Sequence, residues 1–539
     1  MLPIISLFSF LLLALKPINA QYLPNAQALM VQELEHLYFD SASSGILSAI
    51  TPCSNYFNPS TGASATGTGR QTASEWIRTA FPNIYTQSGG LDASIGFETG
   101  RAENVGPAFD DSLSFFSFFY NAKVSMSDLI SLGTVMASGA CGGPQVTFRG
   151  GRKDATSAGP SGVPEPETDL QTTLNQFSNA GFVTDDTITL TACGHSIGGV
   201  HKAQFPQVDT TNTSGTLTGT DGRLDFDETV NTFDYGTASD YMHSTGAKGG
   251  PLVTTGNVTV RSDLRLYQAD QNQTIDRLAG SNSYFSSQCA SAFQRMIETV
   301  PGGTRLTAVT PSSSTNLKPY GVYLSVDFQG NMVLSGNFRY VQVAGARAAP
   351  GSLTIALVNR AGTTTSTTTT ATVSGQDMGT GILGPTHSYT FSLKFPASVG
   401  LSGVTAGGQT FNFQDSMFVV PAMSSISPKP PAFSTGPGMS TVTAYTANLT
   451  VAYLTTSPPA SLTATFSIPV PQTGTVSPTI DTSTTATLKL IGSANGYSFY
   501  SALVSKSLSA KQGYGGSVDV AVAGQSPGVM FFKPFVAAM

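Results

Sequence analysis

Residues 186–205, DTITLTACGHSIGGVHKAQF, place a serine between a histidine and an isoleucine inside a glycine-framed pentapeptide. Gly194-His195-Ser196-Ile197-Gly198 satisfies G-x-S-x-G, the turn that presents a nucleophilic serine at the end of a strand. The β-branched run TITLTAC before it reads as that strand. Such a serine needs an oxyanion-hole loop upstream, then an acid and a histidine downstream. No HGGG-type loop precedes Ser196, and the later histidines are His201, His243 and His387. His201 is too close to serve as the base. Asp227 with His243 arrives before a hydrolase sheet could be completed. A serine hydrolase built on Ser196 is therefore the weaker reading, and the rest of the chain decides what His195 and Ser196 do.

The elements that would position these residues change character near residue 305. Before it, apolar residues recur at helical spacing over 26–39, where Leu29, Leu34 and Leu37 share a face. The same holds over 72–81, 108–120, 125–137, 170–180 and 284–300, the last closed by Pro301-Gly302-Gly303. Ser125 and Asp128 suit the front of their helix. After residue 305, alternating or β-branched runs take over at 321–341, 352–358, 388–395, 409–419, 442–453, 461–470, 484–490, 497–505 and 517–522. Short strands separated by Gly, Pro and Ser predict one or two β-sandwiches. The Thr-rich tract within 358–375 reads as an exposed strand pair or an O-glycosylated loop.

Composition narrows the function classes. Charged residues make up 11% of the 539 and the net charge is −6, with no basic run to grip nucleic acid. The apolar opening ending in Ile18-Asn19-Ala20 reads as a secretory signal over residues 1–20, which predicts an extracellular protein. No later apolar run reaches the roughly 18 residues of a membrane anchor. Sequons at Asn212, Asn257, Asn272 and Asn448 are N-glycan acceptors, whereas Pro59 excludes Asn58. The four cysteines predict two disulfides with three pairings open, and the lack of C-x-x-C spacing argues against zinc.

Several segments then stand in a telling order: Glu75-Trp76-Ile77-Arg78-Thr79-Ala80-Phe81, Gly90-x-Asp92-x-Ser94, Asn104, Met126-Ser127-Asp128-Leu129-Ile130 and Phe148-Arg149-Gly150-Gly151-Arg152-Lys153-Asp154. Gly194-His195-Ser196, Asp227-x-Thr229-x-x-Thr232-x-Asp234 and Arg261-Ser262-Asp263-Leu264 follow. Each alone is ordinary, a turn, a cap or a solvated helix face. Together, over about residues 45–300, they resemble the secreted fungal haem peroxidases of the plant, fungal and bacterial superfamily. The resemblance implies a mainly α peroxidase fold over 21–305, followed by an all-β region over 306–539. It implies haem b with His195 as the iron ligand, Asp263 accepting from the His195 Nδ1–H, Phe81 packing on the haem, and Arg78 assisting peroxide cleavage. Asn104 falls where the family supports its distal base. A proximal calcium is implied at Ser196, Asp227, Thr229, the Thr232 carbonyl and Asp234, and a distal one at Asn83, Gly90, Asp92 and Ser94. The resemblance also implies a Cys53–Cys141 bridge, which leaves Cys193 with Cys289. Its activity would be one-electron oxidation of small phenol-like reductants by hydrogen peroxide.

One departure matters. The family pattern is Arg-x-x-Phe-His-Asp, and here Pro82-Asn83 follow Phe81. Proline has no titratable group to take a proton from peroxide, and His36 on the first helix is the one substitute the sequence offers. Asn83 drops a negative charge, so the distal calcium is expected to bind more weakly. Two expectations follow: a slow peroxidase, or a haem-binding relative of weak activity whose β region binds cell-wall or other carbohydrate.

Overall fold

The computed structural model describes residues 26–39, 46–82, 89–208, 222–310, 317–343, 347–373, 380–430 and 437–534. The expected signal segment, Asn83 and the Asn212 sequon lie outside them. The first half is built from α1 (Ala26–Phe39), α2 (Thr72–Ala80), α3 (Ala108–Phe116), α4 (Met126–Ala140), α5 (Leu170–Asn179), α6 (Thr184–Gly194), α7 (Gly236–His243), α8 (Ser262–Tyr267), α9 (Gln273–Ala279) and α10 (Asn282–Glu298). At the centre lies α4, nearly all of it buried. Ser125 caps it by accepting from Asp128 N at 3.1 Å, and Asp154 accepts from Met126 N and Ser127 N, each at 2.8 Å. On α2, Trp76 is fully buried against Phe115 and Phe116 of α3. Gly133 lets α3 approach α4, because a Cβ there would lie 2.4 Å from Phe116 Cζ.

TITLTAC is not a strand. It forms the body of α6, whose residues from Thr187 to Cys193 are all buried. Burial on every side erases the 3.6-residue period, so the threonines dominated the reading. They are held in the helix by bonds to the preceding turn, Thr189 Oγ1 to Asp185 O at 2.7 Å and Thr191 Oγ1 to Thr187 O at 2.9 Å. Disulfides join Cys53 to Cys141 and Cys193 to Cys289, with Cα separations of 5.3 and 5.6 Å. The second ties the end of α6 to α10, two residues before His195.

The second half is all β. Leu317–Val326 (β1), Asn331–Val341 (β2), Ser352–Val358 (β3), Thr364–Thr372 (β4), Gly384–Pro396 (β5), Gly403–Ala406 (β6) and Gln409–Asn412 (β7) make two four-stranded sheets. One has the order β4-β3-β6-β7. In the other, Thr380–Gly381 is followed by β5-β2-β1. Between them lie Leu334, Phe338, Ile355, Leu357, Phe391 and Val404, a sandwich as expected. The run read as one segment over 321–341 is a hairpin, turned at Gly330 with φ 85°. The Thr-rich tract is the edge strand β4, its exposure alternating residue by residue.

The remaining strands, Met417–Val419 (β8), Val442–Leu454 (β9), Ser461–Val470 (β10), Thr485–Ala494 (β11), Tyr497–Ser509 (β12), Ser517–Ala521 (β13) and Val529–Phe532 (β14), belong to one nine-stranded sheet, in the order β8-β9-β12-β11-β10-β13-β14. It curls until its ends meet, since a Cβ on Gly528 would lie 2.7 Å from Met417 Sδ. Asn448, on β9, spends its side chain inside the sheet, accepting from Ser501 Oγ at 2.8 Å and donating to Met423 O at 3.4 Å.

The β half is packed onto α1 through charges taken out of water. Glu35 is 1% exposed and pairs with Arg339 of β2 at 2.8 Å and with Lys318 of β1. Arg339 lies over the rings of Phe39 and Tyr320, and Thr386 donates to Phe39 O at 3.1 Å. Lys533 reaches Glu33 at 2.8 Å. Val341, Leu383 and Met439 join the core of the helical half. No helix among the described residues is long and apolar enough to cross a membrane.

Candidate active site

A cavity of about 660 Å³ opens between α2 and the end of α6, within the size range of sites for organic ligands. His195 lines it. This residue is the C-cap of α6, where the helix stops and the side chain is free to turn aside. Its Nδ1 lies 2.7 Å from Asp263 Oδ2, and Asp263 is 1% exposed on α8, held by Ser262 Oγ at 3.0 Å. In the neutral ring, Nδ1–H donates to that carboxylate and Nε2 is left with a lone pair, the state of a metal-ligating imidazole. Phe226 stacks on the ring at 4.3 Å and 13°, which fixes its plane.

Arg78, Phe81, Pro82 and Asn104 line the same cavity. Arg78 donates to Val105 O at 3.1 Å, and its guanidinium lies 4.5 Å from the Phe109 ring centre and 5.8 Å from that of Phe205. Burial lowers its pKa to about 10, so it remains a cation at neutral pH. Glu75, one turn earlier, is raised to about 7 by burial, in opposition to its partner Arg70. Phe81 packs against the backbone of Gly194, where a Cβ would come within 2.9 Å of its ring. Asn104 is 1% exposed; its Nδ2 donates to Glu98 O at 3.1 Å, and its Oδ1 has no hydrogen-bond partner among the described residues.

Behind His195, away from the cavity, oxygens gather. Asp227 Oδ1 accepts from Thr229 N at 2.9 Å and Oγ1 at 3.2 Å, while Thr229 Oγ1 is 3.1 Å from Asp234 Oδ1. Ser196 Oγ is spent on the Asp234 backbone, donating to O at 2.7 Å and accepting from N at 2.9 Å, an unsuitable state for a nucleophile. Thr232 N donates to Thr229 O at 2.6 Å and closes the loop. Burial, then the nearby Asp234 carboxylate, raises Asp227 to about 7. Gly236 leaves the cradle open, for a Cβ there would sit 2.8 to 3.0 Å from Asp227, Asp234 and Thr229 oxygens. Two crowded carboxylates with hydroxyls around a hollow suit a hard cation.

The other oxygen-donor set is less complete. Gly90 fits tightly against the Thr299 carbonyl, with φ 142°, and a Cβ there would lie only 2.2 Å from the Thr299 oxygen. Asp92 Oδ1 accepts from Ser94 N at 3.1 Å, and Ser94 Oγ is buried without a partner among the described residues. Asn83, its fourth expected member, is outside the described residues.

Two side chains were missed. Thr237 Oγ1 reaches both His195 O at 2.9 Å and Asp227 Oδ2 at 3.1 Å, joining the histidine to the oxygen cradle. Phe226 is the other. Neither carries a motif; the fold alone brings them in. His36 is not in the cavity. It stacks on Tyr320 at 5.0 Å with Nδ1 2.9 Å from the hydroxyl, because α1 faces the β half. His201 does line the cavity, on the short ladder that follows His195, and its carbonyl accepts from the N–H of Phe205, whose ring lies 5.8 Å from the Arg78 guanidinium.

Residues 60–281 match the family model described as peroxidase. Over 315 residues the chain is 41% identical to a WSC domain-containing protein of Arthroderma benhamiae, covering 56% of this chain and 41% of that one. Over 120 residues it is 33% identical to L-ascorbate peroxidase 5, peroxisomal, of Arabidopsis thaliana, covering 22% and 42%. Peroxidase 44 of Arabidopsis thaliana shares 32% identity over 84 residues, 15% of this chain and 27% of that one. The chain thus spans less than half of each of these relatives.

Proposed function

Since the chain carries a peroxidase domain of the plant, fungal and bacterial class, we propose that it is a secreted haem b protein that oxidises small phenol-like reductants with hydrogen peroxide, slowly. The observation that carries this reading is the 2.7 Å His195–Asp263 contact on the wall of a cavity that also holds Arg78. His195 would hold the haem iron and Phe81 would pack on the ring; the bound group would supply the redox chemistry. Asp263 holds the His195 proton at Nδ1 and makes the ring a stronger donor. Arg78 offers a fixed positive charge to a peroxide oxygen as negative charge develops. Pro82 offers no atom that can take the peroxide proton, and general acid–base help of that kind is worth about 10²–10⁴-fold.

The test is phenol oxidation by the purified chain loaded with haem. Slow, saturable oxidation above that of free haem is expected. A rate equal to free haem would remove the enzyme and leave the second reading, a haem-binding protein of weak activity. For that reading the uncharged outer face of β4, with Thr364, Ser366, Thr368, Thr370 and Thr372 exposed, offers hydroxyls suited to a carbohydrate.

Ser196, Asp227, Thr229, Thr232 and Asp234 would hold a proximal calcium, and Gly90, Asp92, Ser94 and Asn83 a weaker distal one. A cation bound only by the folded state at about 100 times its Kd stabilises by about 2.7 kcal/mol. Chelation should therefore lower the unfolding temperature of the native chain, and Asp227→Ala should lose most of that response. Equal responses in both would contradict the proximal assignment.

A further inference from the structure

We propose that Asn257 carries an N-linked oligosaccharide on the rim of the cavity, and that Asn272 and Asn448 carry none. The occupancy rests on reading the chain as secreted, and its effect on substrates rests on reading the cavity as the active site. Asn257-Val258-Thr259 stands on an exposed turn between two residues that line the cavity, Leu252 before it and Ser262 after it. Val258 is 65% exposed. Thr259 Oγ1 donates to Asn257 Oδ1 at 2.7 Å, and Thr259 N donates to the same oxygen at 3.2 Å. These bonds join residues two apart, so the chain can make them before the rest of it folds. They draw on the amide oxygen and leave Nδ2 as the group to be modified. Nδ2 makes one bond, to Gln207 O at 3.4 Å, and its second N–H is the one a sugar would replace.

The other two described sequons lack these features. Asn448 is tied to Ser501 and Met423 on β9, and Thr450 is 1% exposed with its hydroxyl donating to Met423 O at 2.8 Å. Asn272 is held at φ 67° and accepts from the Tyr241 hydroxyl at 2.9 Å, while Thr274 is 3% exposed. A sugar on either would have to enter packed structure, whereas one on Asn257 stays in solvent. The Asn257 turn is also bonded to the cavity wall at both ends. Asn257 reaches Gln207, Thr259 O accepts from Arg265 Nη1 at 3.0 Å, and Gln207 and Arg265 both line the cavity. Attachment forms the bond from Nδ2 to the first sugar as that sugar's bond to a lipid-borne pyrophosphate breaks, with one amide proton released. The oligosaccharide then flanks the opening, where it screens out bulky reductants and lets small phenols pass.

The full chain secreted by a yeast host tests this. Glycan release by an amidase in heavy-oxygen water turns each occupied asparagine into a labelled aspartate, which peptide mapping reads site by site. Label is expected at Asn257 and not at Asn272 or Asn448. An unlabelled Asn257, or equal label at either of the others, would overturn the site. The effect on substrates is measured in Asn257→Gln and, should that variant not be secreted, in the native chain trimmed enzymatically to its first sugar. Either should raise kcat/KM for a bulky phenol several-fold and leave that for a small phenol unchanged. No gain for the bulky phenol, or an equal gain for both, would overturn the screening role. A labelled Asn257 on a haem-loaded chain that oxidises neither phenol would refute the active-site reading and not the modification.

Discussion

Pro82→His should raise peroxide consumption about 10²–10⁴-fold. Pro82 stands four residues after Arg78, so its side chain is one helical turn on along the same face. Phe81 still has helical angles, φ −64° and ψ −48°, and the turn continues far enough to aim residue 82 at the cavity it already lines. An imidazole there would bring to the cavity a ring nitrogen able to act as a base. Arg78 keeps its charge and needs no rearrangement. The measurement is the initial rate of peroxide loss at fixed haem loading, native against variant. A variant no faster than the native chain, with haem retained, would mean that the missing base is not what limits turnover.

Glu35→Ala should cost about 3–5 kcal/mol of stability, the range for removing one partner of a buried ion pair. Arg339 is 2% exposed and would be left with its charge in the protein interior. Lys318, at the other carboxylate oxygen, is more exposed and can turn to water. The internal control is Asp185→Ala, whose pair with Arg277 has both side chains more than half exposed and should cost below about 1 kcal/mol. Denaturant unfolding with extrapolation to water measures both. A Glu35 variant as stable as the control would show that the β half is only lightly docked. The predicted loss would mean that helices and sheets share one cooperative unit, and that the β half is no detachable appendage.

The arrangement of the candidate site was legible in part because its members lie in one order along the chain. Arg78, Asn104, His195 and Asp263 converge on one cavity, while Ser196, Asp227, Thr229 and Asp234 form the cradle behind it. Helix ends also fell within a few residues, since α2 carries a clear apolar face and Ser125 a clear cap. Wholly buried elements were less legible. In α6 no polar face survives to mark the period, and β-branched threonines imitate a strand. Long-range partners were hidden for another reason. Thr237 meets His195, and His36 meets Tyr320, only through tertiary packing that no local spacing records. The β half showed its strands but not their sheets, because alternation within a strand is silent about which strand pairs with it.

The haem content of the purified full-length chain tests the central claim most directly. After loading, the native protein should carry one haem per chain with a Soret band, and His195→Ala should carry none. A native chain that takes up no haem, or a His195→Ala chain that keeps it, would contradict the account.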